Sequence, residues 1–229
     1  MTRKSKFALL PFVALIISLI LFEVSDIDYY IQRLFYDAET QQWLISHDNA
    51  VLRFIFYDGI KVVLLAFVAA LILVPIIFRK HPVVVELRPR LILTLLSIAL
   101  TLATASGLKA VTNVACPAQL ALFGGSIPHV SLFSTYPKGQ RPVNQQRCFP
   151  AGHASGGFAI LSLVLLFKSR RNQRRVIVVG LLLGWTMGLY KMLIGDHFLS
   201  HTITSMLLAW CSIGIFSLLA NRYRGDPPG

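Results

Sequence analysis

Apolar residues form six blocks along the chain, and the charged residues are concentrated in the segments between them. The blocks cover approximately residues 7–22, 60–78, 91–108, 152–167, 176–193 and 202–220. Each block is close to the roughly 20 residues that a helix needs to cross about 30 Å of hydrocarbon. The pattern therefore predicts an all-α integral membrane protein in which six transmembrane helices form one domain over residues 1–229.

The composition agrees with a membrane protein. Hydrophobic residues make up 55% of the chain and charged residues 14%, well below the roughly 25% charged residues of soluble domains. The first block follows Arg3, Lys4 and Lys6, as the core of a secretory signal would, but no small-residue cleavage site follows Phe22. We therefore expect an uncleaved first helix.

The net charge of +12 is distributed unevenly between the two sides of the predicted bundle. If the N-terminus is cytoplasmic, 14 of the 22 Lys and Arg residues face the cytoplasm and eight of the ten acidic residues face the other side. This is the positive-inside pattern. It predicts that both termini are cytoplasmic, and it makes the basic loops topology determinants rather than a nucleic-acid interface.

Ionisable side chains collect at the outer ends of the predicted helices. Lys109 ends the third block, His153 begins the fourth, and Lys191, His197 and His201 flank the turn between the last two. Because ionisable groups at membrane helices are costly, they indicate a functional site. The outer loop 110–152 adds Arg141 and Arg147, whose positive charge on this side favours anion binding.

These residue types suit phosphoryl transfer. Lysines neutralise phosphate oxygens, and Gly152 at the start of the fourth helix allows an anion to approach the backbone N–H groups. One histidine can attack phosphorus while a second protonates the leaving oxygen. Metal binding is the competing use of His153, His197 and His201, but no H-E-x-x-H set is present. We expect no metal and no other cofactor.

Three spaced motifs resemble the signature of the type-2 phosphatidic acid phosphatase superfamily, which is K-x6-R-P, P-S-G-H and S-R-x5-H-x3-D. The matching segments are Lys109-x6-Cys116-Pro117, Pro150-Ala151-Gly152-His153 and Lys191-x5-His197-x3-His201. The resemblance implies a six-helix bundle with its active site at the periplasmic face. It also implies that Lys109 binds phosphate, His153 is the general acid, and His197 is the nucleophile that forms a phosphohistidine.

The departures from that signature include four substitutions in the three motifs. Cys116 replaces an Arg, Ala151 a Ser, Lys191 the second Arg, and His201 the Asp that orients the nucleophile. Lysine keeps the charge of arginine but loses its bidentate geometry. Either Arg141 or Arg147 could replace the missing Arg, and His201 could still hold the imidazole of His197.

The resemblance implies a lipid phosphatase or phosphotransferase of the bacterial inner membrane. Expected substrates are lipid A, undecaprenyl diphosphate or a phospholipid, and the motif-bearing segments are similar to bacterial members that act on lipid A or related envelope lipids. Hydrolysis and transfer to an acceptor both stay open. We expect neither a nucleic-acid partner nor an obligate protein partner. The alternatives are an inactive protein that retains the fold, and a transporter.

Two further patterns concern packing and the outer loop. Gly180, Gly184 and Gly188 recur every four residues, which is typical of closely packed membrane helices. Cys116 and Cys148 lie in the outer loop, where an oxidising periplasm permits a disulfide. We expect a bond between them, and the alternative is two free thiols.

Overall fold

The computed structural model of the protein describes residues 3–223, and the side chains of residues 8–220. Of the residues used to predict the topology, Arg224 lies outside the described range, as do the side chains of Arg3, Lys4, Lys6 and Arg222.

The described chain is predominantly helical. Its helices are α1 (Arg3–Glu23), α2 (Ile27–Arg33), α3 (Ala50–Arg53), α4 (Gly59–Ile77), α5 (Pro82–Val111), α6 (Gly152–Ala159), α7 (Arg170–Leu193) and α8 (Leu199–Tyr223). A π-helical turn, Phe54–Asp58, joins α3 to α4, and a 3-10 segment, Ile160–Leu165, continues α6. A two-stranded hairpin of β1 (Tyr36–Asp37) and β2 (Gln42–Trp43) is a small exception to the all-α prediction.

Fewer helices than expected are long enough to span a membrane. Within the described residues, four helices are long and apolar enough: Ala50–Ile77, Pro82–Val111, Arg170–Leu193 and Leu199–Ala220. A fifth is added if α1 and α2, which meet at a bend of 72°, count as one span. The described part of the chain therefore has four or five candidate spanning helices, where the block pattern predicted six.

The fourth apolar block accounts for one of the predicted spanning helices that the described residues lack. Its helical segment, Gly152–Leu165, ends before residue 167 and falls in the 10–17 residue class of short apolar helices. Because a 3-10 helix rises about 2.0 Å per residue, the segment is roughly 24 Å long, against about 30 Å of hydrocarbon. Phe158 and Leu161 in this segment are fully buried. The segment packs against α5, α7 and α8, so it forms the centre of the bundle.

Small and hydroxyl-bearing residues bring the helices close to this central segment. The position of a Cβ on Gly157 would lie 2.7 Å from the Cα of Gly184, and one on Gly180 would lie 2.7 Å from the side chain of Leu161. The glycine repeat of α7 thus packs closely, as its spacing predicted. On another side, the hydroxyl groups of Ser97 and Ser162 form a hydrogen bond of 2.9 Å.

An aromatic cap covers the end of the bundle at which α7 is followed by α8. Leu120, Phe123 and Phe198 form a buried cluster, and Tyr36 and Trp43 of the hairpin pack against it. Gly195, in the turn between α7 and α8, has φ of 78° and lies directly against the Trp43 ring. The cap therefore fixes the turn that carries His197 and lies between Lys191 of α7 and His201 of α8.

Candidate active site

The end of α5 and the start of α6 meet at Lys109. The position of a Cβ on Gly152 would lie 3.2 Å from Cε and 3.5 Å from Nζ of Lys109. Gly152 therefore leaves the space in which the lysine crosses the first turn of α6. This contact places a cation at a helix N-terminus, where unpaired backbone N–H groups already favour an anion.

The turn between α7 and α8 and the first turn of α8 present two buried imidazoles. The backbone N–H groups of Asp196 and His197 both donate to the carbonyl oxygen of Lys191, at 2.8 and 3.2 Å, and so fold the turn back on α7. His197 and His201 are 4% and 2% exposed. Their Nδ1 atoms are 3.4 Å apart, so one ring can orient the other.

The third imidazole, that of His153, faces the same place. Its ring centroid is 6.5 Å from that of His197. The structure therefore brings together the histidines of the second and third motifs.

The environment of His197 favours a neutral ring. Burial first, with smaller contributions from neighbouring basic groups such as Lys109, holds the pKa of His197 well below its ordinary value. A neutral imidazole keeps a lone pair, which is the form that a nucleophile requires. The site therefore holds His197 in its reactive protonation state at neutral pH.

Cys148 lies beside His197 and His201, and its bonding decides whether these three residues could bind a metal ion. Potential ligand atoms of Cys148, His197 and His201 lie within 4.8 Å of one another. However, the structure joins Cys148 to Cys116 in a disulfide, as expected from their place in the outer loop. A disulfide sulfur is not a thiolate ligand. Two imidazoles remain, which does not match the three or four protein ligands of zinc sites.

The two loop arginines are not tied to the cluster. Arg141 and Arg147 are exposed, and neither forms a hydrogen bond or ion pair with another described side chain. Arg141 lines a separate depression with Asn113 and Tyr136. That either arginine replaces the missing signature Arg stays a prediction.

Two residues at the site were not identified from the sequence. Asp196 forms an ion pair with Lys191, at 2.7 Å between Oδ2 and Nζ. Tyr57 contacts His153 through its hydroxyl group, at 2.6 Å from Nε2. Asp196 directly precedes His197, which is a weak signal, whereas Tyr57 belongs to an aromatic-rich segment without distinctive spacing.

Comparison with known proteins gives one match. The model of a family described as the PAP2 superfamily matches residues 90–224, more than half of the chain. The matched range includes all three motifs. The comparisons with curated proteins and with solved structures found no match.

Proposed function

Because the chain belongs to the PAP2 superfamily, whose members are generally phosphatases, we propose that it removes phosphate from lipid phosphate esters through a phosphohistidine. The observation that carries the proposal is the pair of imidazoles of His153 and His197, 6.5 Å between ring centroids. This separation leaves room for a phosphoryl group between a nucleophile and a proton donor.

The reaction has two steps. In the first, a ring nitrogen of His197 attacks phosphorus, an N–P bond forms, and the bond from phosphorus to the leaving oxygen breaks. His153 gives that oxygen a proton. In the second, water attacks phosphorus, the N–P bond breaks, and His153 takes a proton from the water. Phosphate leaves, and His197 returns to its neutral form.

Positive charge stabilises the phosphoryl oxygens during both steps. Lys109 and the first turn of α6 offer N–H donors from one side. Lys191 adds a second cation, and because an ammonium group has three donors, its bond to Asp196 leaves two for phosphate. An acyl-phosphate or metal-bound intermediate is not required by this arrangement.

The location of the site favours an amphiphilic substrate. Lys109, His153 and His197 lie at the ends of apolar helices rather than within a soluble domain. The charge distribution supports an orientation with both termini in the cytoplasm and the site at the periplasmic face of a bacterial inner membrane. Lipid A, undecaprenyl diphosphate and phospholipids all present phosphate there. Whether water or a second lipid accepts the phosphoryl group is part of the test.

The test uses purified protein and a panel of these lipids carrying labelled phosphate, with and without a chelator. Wild-type protein should release phosphate in both conditions and carry an acid-labile label. His197→Ala should lose the label and the turnover, whereas His81→Ala, at an exposed histidine outside the site, should keep both. An acid-labile phosphate label on the His197→Ala variant would show that His197 is not the nucleophile. Release from no lipid would support the inactive alternative, which the four altered signature positions favour.

A further inference from the structure

Tyr57 links two residues of the proposed site. Its hydroxyl oxygen lies 2.6 Å from Nε2 of His153, and its ring packs edge-on against the imidazole, at 4.5 Å between centroids. On the same ring, Nζ of Lys191 lies 4.4 Å from the centroid. One side chain therefore contacts both the proposed proton donor and a proposed phosphate-binding lysine.

The position of Tyr57 in the fold is unusual for a residue that serves packing alone. It lies in the π-helical turn Phe54–Asp58, at the outer end of α4. No residue of α4 itself is buried, so this helix contributes little to the core. Single π-helical turns are often found at functional sites because the extra residue redirects a side chain.

His153 has one nitrogen with a partner and one without. Nε2 contacts Tyr57, whereas Nδ1 is buried and has no hydrogen-bond partner among the described residues. Buried polar atoms are rarely left unpaired, and a catalytic role is one reason for an exception. Nδ1 is therefore the ring nitrogen that no described protein group occupies.

We propose that Tyr57 is a positioning residue that holds His153 as the proton donor, a role that rests on the proposed phosphatase function. When the imidazole carries two protons, the Tyr57 oxygen accepts the hydrogen bond from Nε2–H. Nδ1–H then gives its proton to the leaving oxygen as the P–O bond breaks. In the hydrolysis step Nδ1 takes a proton from the attacking water, and Nε2–H stays bonded to Tyr57.

The charges at the site explain why this bond matters. Lys109 and Lys191 disfavour a third positive charge on His153 in the empty site, and bound phosphate offsets them. The tyrosine oxygen adds an acceptor on the far side of the ring, which stabilises the imidazolium and fixes its plane. Without it, the ring can rotate and Nδ1 no longer faces the leaving oxygen.

The experiment compares two phosphate esters that differ in their need for a proton donor. Dioctanoyl phosphatidate has a poor alkoxide leaving group, whereas p-nitrophenyl phosphate has a good one. Because general acids contribute about 10²–10⁴-fold only where the leaving group needs a proton, Tyr57→Phe should lower kcat for phosphatidate by about 10-fold or more and for the aryl ester by less than about 3-fold. Tyr190→Phe is the matched control. It removes the hydroxyl of a buried tyrosine whose ring centroid lies 6.0 Å from Lys191 Nζ.

A second comparison tests whether Tyr57 acts through His153. Adding Tyr57→Phe to His153→Ala should lower phosphatidate turnover no further. Equal losses on both esters, or losses that simply add in the double variant, would overturn the positioning role and leave Tyr57 as an anchor for α4. A wild-type protein that cleaves neither these esters nor any lipid of the panel would instead reject the phosphatase function itself.

Discussion

His201 occupies the signature position of an aspartate, and at the residue scale this change bears most directly on the chemistry. The 3.4 Å between the Nδ1 atoms of His197 and His201 permits one hydrogen bond, which can orient the nucleophile. A neutral imidazole supplies no negative charge to stabilise His197 as it becomes positive in the transition state. In the proposed mechanism, the site therefore retains the orienting contact and lacks the negative charge of the signature aspartate.

We predict that substitutions at His201 separate these two contributions. His201→Ala should lower kcat, but by less than His197→Ala, because the nucleophile remains. His201→Asn should stay near wild type, since an amide can orient without charge. His201→Asp should equal or exceed wild type, because the corresponding carboxylate contributes up to about 10⁴-fold in serine proteases. If His201→Asp is as inactive as His197→Ala in the lipid phosphatase assay, His201 has another task.

The protonation of His197 gives a second residue-scale prediction. Since burial and nearby positive charge lower its pKa, the ring should stay neutral as pH falls through about 6.5, the ordinary histidine value. Nitrogen chemical shifts of ¹⁵N-histidine-labelled protein, with the His197 signal assigned by its loss in His197→Ala, measure this directly. The neutral pattern should persist at pH 5.5. A midpoint near 6.5 would show that the ring is not shielded as the structure indicates.

At the scale of elements, the contact of α6 with α7 holds the proposed general acid in place. Gly184 of α7 lies directly against the ring of Phe158 in α6, and His153 begins that same helix. Small residues allow membrane helices to approach closely. A larger side chain at this point would therefore push α6 away from α7 and displace His153 from His197.

We predict that Gly184→Ala destabilises the protein by about 1–3 kcal/mol, the usual range for overpacking, and lowers phosphatase activity. Gly156→Ala is the matched control, because a Cβ at Gly156 meets nothing within 4 Å, and alanine is favoured over glycine in a helix by up to about 1 kcal/mol. Thermal unfolding of both variants in detergent gives the comparison. Equal stability of the two would show that the helices separate easily here.

At the scale of the whole molecule, the sequence predicted the elements that depend on local pattern. The long helices α5, α7 and α8, the glycine contacts of α7 and the Cys116–Cys148 pairing all follow from composition or spacing. The motif histidines lie close together because the bundle brings their helix ends to the same end.

Other features depend on tertiary packing, which hydropathy does not report. The short segment Gly152–Leu165 is enclosed by other helices. Its residues are apolar because they are buried in protein, so the length of the apolar block does not predict the length of the helix. Tyr57 reaches His153 only through a π-helical turn, and Asp196 reaches Lys191 through a tight turn of the backbone. No sequence spacing encodes either contact.

The last prediction is that the short central segment nevertheless crosses the membrane, as the six-span arrangement requires. Val143 precedes this segment in the outer loop and is fully exposed, and Ser169 follows it and is also exposed. The two positions lie on opposite sides of the membrane only if residues 152–165 cross it. At roughly 24 Å, the segment is shorter than the hydrocarbon, but enclosure by longer helices and modest thinning of the bilayer make such a mismatch tolerable.

Single cysteines at the two positions test this crossing. In intact cells with a permeabilised outer membrane, a membrane-impermeant maleimide should label Val143→Cys and leave Ser169→Cys unlabelled until the inner membrane is opened. The native cysteines should give little background, since two are paired in a disulfide and Cys211 is buried. Labelling of both positions from the same side would mean that the segment re-enters rather than crosses. Labelling with the sides reversed would place the histidine site in the cytoplasm and change the lipids it can reach.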